Sequence, residues 1–419
     1  MAISSLYYST NLLHARRLGA ISGLVLLWVL AGMAGAAFAR PGYDPCADVA
    51  QPASLACART VTPFVDRQGR IWLAWAQHGH VYVQQAADPA TGFGPPRVVN
   101  PVPEPVAAHG ENRPKLVVDG EGRIFVSWTR RGRRRFSGDI RFSRSLDGGR
   151  TFSEPLTVND DRRPIGHRFD VLAVNDRGQL FIAWLDKRDR ADAEAAGRGY
   201  RGAAVYYSWS NDAGSSFQPD RRLAGHSCEC CRVAMALDRD GLPVVMWRHI
   251  FDDNVRDHAL LKLEAPDRPG TPRRVSFDEW RIDACPHHGP ALSVDADAVY
   301  HLAWFDNGPR HHGLFYAHSA DQGRSLSRPL PFGDERRAAG HPALLAIGRE
   351  IYLAWREFDG SRSRILGMRS GNGGETWEAA RVLAEAPGEA DYPFLVARDG
   401  QAWLSWQTRE TGYRLLEFR

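Results

Sequence analysis

Between His226 and Pro290 the chain concentrates side chains that bind metals or exchange electrons. The stretch opens with His226-Ser227-Cys228-Glu229-Cys230-Cys231-Arg232 and closes with Cys285-Pro286-His287-His288-Gly289-Pro290. Trp247-Arg248-His249 and Arg256-Asp257-His258 lie between them, and four of the six cysteines of the chain fall here. Thiolates and imidazoles are ligands for soft and borderline metals. One reading is therefore copper or zinc held by Cys228, Cys230, Cys231, Cys285, His287 and His288. A second pairs the four cysteines as disulfides, and the Cys-x-Cys-Cys spacing leaves several pairings open. Redox chemistry is a third. The spacing matches no zinc ribbon, and no Cys-x-x-Cys-His marks haem attachment, so the residues leave the cofactor unknown, with copper and zinc as candidates.

The elements that must carry these groups repeat. From residue 60 onward an apolar strand, an Asp/Gly turn and a second apolar strand ending in Trp recur. Examples are Val65-Asp66 to Trp75, Val118-Asp119 to Trp128, Val174-Asn175 to Trp184 and Leu237-Asp238 to Trp247. The last three copies end at Trp304, Trp355 and Trp406, and successive tryptophans stand 53, 56, 63, 57, 51 and 51 residues apart. A period near 50 with strand-turn-strand content and almost no helical periodicity is the signature of a β-propeller. The tryptophans are then blade core. Arg188 to Glu194 reads as a short helical insertion in the third unit, either a lid over the mouth or a solvated charged segment.

A second phrase follows the hairpin in four units: Ser145-Leu146-Asp147-Gly148-Gly149-Arg150-Thr151-Phe152, Ser210 to Phe217, Ser319 to Leu326 and Ser370 to Trp377, where Asn372 replaces the Asp. In such a turn the carboxylate accepts backbone N–H groups, the Gly supplies a positive φ and the aromatic packs beneath. These motifs resemble the sialidase-like Asp-box (BNR-repeat) propellers over residues 60–419. The expected fold is all-β, a seven-bladed propeller with four-stranded antiparallel blades; the alternative is the six-bladed sialidase form. The last unit stops after its third strand. The segment 40–59 is therefore a candidate closing strand, which would cover an open sheet edge.

Strands alternate in direction, so residues before the innermost strand A and after strand B converge on one face, where loops on a rigid frame bind ligands. That face should carry Arg113, Arg168, Arg232, Arg248, Arg256, Asp257 and Arg356 beside the Cys/His groups. What the resemblance implies is an arginine cluster gripping a sugar carboxylate, a Tyr nucleophile polarised by a Glu, and an Asp acid/base. Tyr392 with Glu357, and Asp170 or Asp186, are the candidates for those roles. A sialidase-type hydrolase is thus one expectation. A non-catalytic binder of an acidic glycan or similar small anion is another, and a copper or other transition-metal protein is a third. Nothing in the sialidase scheme asks for the Cys/His groups.

Composition bounds the rest. The 419 residues carry a formal net charge of +4, and a leader holding Arg16 and Arg17 but no acid accounts for two of these charges. So small a charge argues against nucleic acid as the partner. Residues 1–39 read as a cleaved export signal: Arg16-Arg17, an apolar run from Leu18 to Phe38, then Ala37-Phe38-Ala39. A periplasmic or secreted monomer is expected, with no membrane insertion after cleavage and with a small molecule or glycan as partner. In that oxidising setting Cys46 and Cys57 could staple the N-terminal segment.

Overall fold

The computed structural model describes residues 45–419; the expected leader and residues 40–44 lie outside the described residues. Pro45–Ala47 form a 3-10 turn, and Val49–Arg419 form one compact unit. Cys46 and Cys57 are joined as a disulfide. Among the described residues no helix is long and apolar enough to cross a membrane.

Seven separate antiparallel sheets follow one another along the chain, so the molecule is a seven-bladed β-propeller and the six-bladed alternative is set aside. Their first strands are Val61–Val65, Lys115–Val118, His167–Val174, Ala234–Leu237, Ala291–Val294, Gly340–Ile347 and Phe394–Arg398. Each of these A strands touches the A strand of the next blade, and the last touches the first. The A strands therefore line the axis. Blade 4 carries two short outer strands, Arg268–Pro269 and Arg273–Arg274, and blade 7 has three strands. The expected closing strand is not formed by residues 45–59. Leu55–Cys57 is a 3-10 turn, and Gln407 Nε2 of blade 7 donates to the Ala58 carbonyl at 2.9 Å. Side-chain packing of Ala58, Val61 and Trp75 with Tyr413 and Leu415 closes the ring instead.

The sequence pattern explains the blades. Strand B is mostly apolar because a blade is covered on both faces by its neighbours. All seven residues of Ile71–Gln77 are buried. Trp75, Trp128, Trp184, Trp247, Trp304, Trp355 and Trp406 are the largest fully buried side chains. A buried indole N–H needs an acceptor. Asp186 Oδ2 takes the Trp184 Nε1 proton at 2.8 Å, Glu357 Oε1 that of Trp355 at 3.0 Å, and Asp278 Oδ2 that of Trp304 at 3.0 Å.

The A–B turns are pinned by their acids, as where Asp66 Oδ1 accepts from Gln68 N at 2.9 Å and Arg70 N at 3.0 Å. The four Ser-x-Asp/Asn-x-Gly turns share one pattern. In the first, Ser145 Oγ accepts from Gly149 N at 2.8 Å, and Asp147 Oδ1 accepts from Thr151 N at 3.0 Å. The turn glycine of the fourth, Gly374, has φ 91°, and a Cβ there would lie 1.9 Å from Tyr316 Oη. Close approach as well as backbone conformation thus requires glycine. The insertion in blade 3 is a helix, Arg188–Ala195.

Trp304→Ala should lower stability by about 3–5 kcal/mol, the cost typical of emptying a buried Trp site, with the Asp278 carboxylate left without its indole donor. The urea unfolding midpoint of the variant measures this. A loss under about 1 kcal/mol would mean that blade packing does not rest on these rings.

Candidate functional site

The loops that precede the A strands meet at the axis around a carboxylate. Glu111, before strand A of blade 2, is buried. Its Oε2 accepts from Arg232 N of blade 4 and Gly289 N of blade 5, each at 3.2 Å. Its Oε1 lies 3.2 Å from Arg232 Nη1 and 3.1 Å from His341 Nδ1 of blade 6. Burial alone would raise the pKa of this carboxyl. The Arg232 guanidinium and the His341 hydrogen bond overrule it and hold the pKa down at about 2. Burial keeps His341 below its ordinary pKa, so its ring serves as a neutral N–H donor.

An aromatic column grows from this contact. His341 stacks on Tyr392 at 3.4 Å and on His288 at 4.7 Å, and His288 stacks on Phe305 at 4.1 Å. Burial pushes the His288 pKa down to about 3 and raises that of the Tyr392 hydroxyl, so both are neutral near pH 7. Gly110 is pressed against the Tyr392 ring; a Cβ there would lie 3.3 Å from it.

Several expected ligand-binding residues are engaged by the protein itself. Arg113 forms a two-pronged pair with Asp391 of blade 7 at 2.7 and 2.5 Å. Arg232 holds Glu111 and the carbonyls of Pro290 and Pro342 at 2.7 and 2.6 Å. Arg248 is fully buried and donates to the carbonyls of Arg256 at 2.8 Å and Phe305 at 2.5 Å. Asp257 is buried, paired with Arg274, and its carboxylate oxygens lie beside those of Asp278 and Asp306. Asp186 is equally committed, accepting from Arg188 Nη2 at 2.9 Å as well as from Trp184. Glu357 Oε1 accepts from Asp334 N at 2.9 Å as well as from Trp355. Glu111 and Asp391 are carboxylates whose fields help to raise the Tyr392 hydroxyl, after burial.

Of the expected arginines, Arg168 and Arg356 make no ion pair or side-chain hydrogen bond among the described residues. Arg356 lies over the Tyr392 ring at 5.9 Å, and Arg168 over Phe169 at 5.1 Å. The Arg168 Nε is buried without an acceptor. His109, at the open rim, has its pKa lowered by desolvation and by the fields of Arg168, Arg131, His287 and Arg113. Lys115, on strand A of blade 2, donates to the Arg113 carbonyl at 2.6 Å, and burial brings its pKa down to about 8. Glu111, His109 and Lys115 were not among the sequence candidates. A Glu just before a repeated strand was the available signal for the first.

The two Cys-bearing loops of blades 4 and 5 do meet. Cys228 Sγ lies 3.7 Å from Cys230 Sγ and 2.9 Å from Cys231 Sγ, and Cys230 contacts Cys285. All four are free thiols, with only Cys285 exposed. His287 is exposed and His288 belongs to the aromatic column, so neither joins the group formed by Cys228, Cys230 and Cys231. Cys285 also borders a cleft of about 540 Å³ lined by Arg190, Arg201, Glu229, Asn254, Arg256 and Asp283. Arg256 faces this cleft with one bond, to Asn254 Oδ1 at 3.2 Å.

No family model and no curated protein match the chain. Solved structures do. A polysaccharide lyase of family PL25, an ulvan lyase bound to GlcA(1-4)Rha3S, superposes with a TM-score of 0.54 at 11% identity, covering 87% of this chain and 92% of that one. What is shared is the propeller fold. A second structure of a PL25 ulvan lyase gives 0.53 over the same shares at 11% identity. A Hadza microbial sialidase, Hz136, gives 0.48 at 16% identity, covering 83% of this chain and 76% of that one.

Glu111 has a folded pKa below its ordinary 4.5, so its ionised form stabilises the fold above that value. That contribution, about 3 kcal/mol at roughly 1.4 kcal/mol per unit, should disappear as pH falls from 4.5 toward 2. The stability gap between the native protein and Glu111→Gln, followed by urea unfolding, should therefore be widest near neutrality and close across that window. A gap that is constant with pH would show that the ionised carboxylate does not hold the loops.

Proposed function

We propose that the protein is an exported propeller that binds a small anionic ligand, an acidic glycan, in its axial mouth. The observation that carries this reading is the pair of unpartnered guanidiniums, Arg168 and Arg356, beside the rings of Phe169 and Tyr392. Guanidinium forks suit carboxylate and sulfate oxygens, and aromatic faces suit the apolar face of a sugar ring. The neutral His109 and the protonated Tyr392 hydroxyl would supply hydrogen bonds to sugar hydroxyls. The ulvan lyase that shares the fold is bound to a glycan that includes GlcA.

Binding rather than sialidase-type hydrolysis is the reading because the hydrolytic set is incomplete. Three arginines would have to converge on one carboxylate, and Arg113 and Arg232 are occupied by Asp391 and Glu111. Glu111 already accepts from Arg232, Gly289 and His341, which leaves it poorly placed to take a proton from Tyr392.

Titration calorimetry with uronate- or sulfate-bearing oligosaccharides tests this. Arg168→Ala and Arg356→Ala should each weaken binding about 10- to 100-fold, the worth of a charge-assisted hydrogen bond, without lowering the melting temperature. Asp186→Asn and Glu357→Gln should do the reverse, lowering stability and sparing affinity. Equal affinity for neutral oligosaccharides, or no effect of either arginine substitution, would refute the proposal.

A further inference from the structure

The mouth makes no use of the four thiols. Their arrangement has features that disulfide pairing leaves unexplained. Cys228 Sγ has two sulfur neighbours, Cys230 at 3.7 Å and Cys231 at 2.9 Å. The sulfurs of Cys228, Cys230 and Cys231 all lie within 4.8 Å of one another, and all three residues are buried. Cys230 also contacts Cys285, which arrives from the next blade. A disulfide uses one partner per sulfur, at about 2.05 Å. Here three sulfurs face a common point and the fourth stands beside it. The chain closes Cys46 and Cys57 as a disulfide yet holds these four as thiols.

We propose that Cys228, Cys230, Cys231 and Cys285 form a thiolate site for a closed-shell soft or borderline cation, Zn(II) or Cu(I). A tetrahedral zinc-thiolate centre with bonds of about 2.3 Å has sulfur-to-sulfur edges of about 3.8 Å. The separation of Cys228 and Cys230 already equals such an edge, and the cation would spread Cys231 from Cys228 by about 0.9 Å to reach the same value. Three buried thiolates cannot ionise together without a counter-charge, since each would repel the others in a poorly hydrated site. A bound cation supplies that charge. Guanidiniums supply the remainder: Arg248 acts on Cys228 and Cys231, and Arg256 on Cys285. Cys285, exposed at the edge of the 540 Å³ cleft, gives the ion a way in from solvent.

The backbone supports the same placement. Cys228 N is tied to the Arg248 carbonyl at 2.9 Å, which fixes the start of the Cys-x-Cys-Cys loop against strand B of its own blade. The loop packs into the hydrophobic cluster shared by blades 3 and 4, beside Phe169, Trp247 and Val233. Three ligands thus come from one rigid turn and the fourth from a neighbouring blade, so an ion bound here would cross-link blades 4 and 5.

The test uses the full chain, reduced and kept under argon, titrated separately with Zn(II) and with Cu(I) against chromophoric competitors. One ion per chain should bind, and the bound ion should protect Cys228, Cys230 and Cys231 from alkylation as read by peptide mass. Co(II) in place of Zn(II) should give thiolate-to-metal charge-transfer absorption. Cys285→Ser, a change at an exposed position, should weaken retention about 10-fold or more while leaving the melting temperature of the metal-free protein unchanged. The two titration arms decide between zinc and copper. Failure to retain either ion at micromolar concentration, binding with the thiols still alkylated, or isolation of the four cysteines as two disulfides that persist after the reduced protein is reoxidised in the presence of metal would each overturn the proposal. None of these outcomes depends on whether the arginines of the mouth bind a glycan.

Discussion

A single carboxylate, taken out of water at the axis of the ring, is what the functional face depends on. A buried anion is costly unless donors surround it. Glu111 meets that demand by drawing N–H groups from blades 4, 5 and 6 to blade 2. Arg232 and Gly289 stand in irregular loops, and His341 at the start of strand A of blade 6. Their positions follow from the carboxylate, and the aromatic column follows from theirs. Because His341 must present its Nδ1 to Glu111, its ring lies flat between His288 and Tyr392. Because Arg232 is held by Glu111, it is withdrawn from solution chemistry. The groups that remain for a ligand are those the network does not consume.

The axial loops and the loops that carry the thiols approach each other near one side chain. Arg168 stands between them, in the field of Cys230, Glu229 and Cys285 on one side and of His109 on the other. Burial of its guanidinium disfavours the charge, and the neighbouring Cys230, Glu229 and Cys285 work against that effect.

The ring of blades was legible because its determinants are local and repeat. The spacing of the tryptophans and the Asp/Gly turns between strands are short-range signals, and so is the helical patch at Arg188–Ala195. The convergence of the loops before strand A was legible too, since it follows from strand alternation alone. Assigning roles to single residues on that face was another matter. Asp186 and Glu357 each stand two positions beyond a core Trp, so alternation along the strand aims them at its indole N–H. That offset was in the sequence and marks them as packing partners. Glu111 and Arg232 are separated by more than a hundred residues, as Arg113 and Asp391 are by 278. Nothing in the local pattern tells which of many arginines a distant acid will claim.

The Arg113–Asp391 pair has a consequence of its own. Among the described residues no strand is exchanged between the last blade and the first, so the junction there is a seam held by side chains. This ion pair reaches over blade 1 from blade 7 to blade 2 and fastens that seam like a clasp at its inner edge. Both side chains are withdrawn from solvent, with 1% and 5% of their surface exposed, so salt should do little to loosen it. Thermal breathing of the propeller should therefore start on the outer side of that seam rather than at its inner edge.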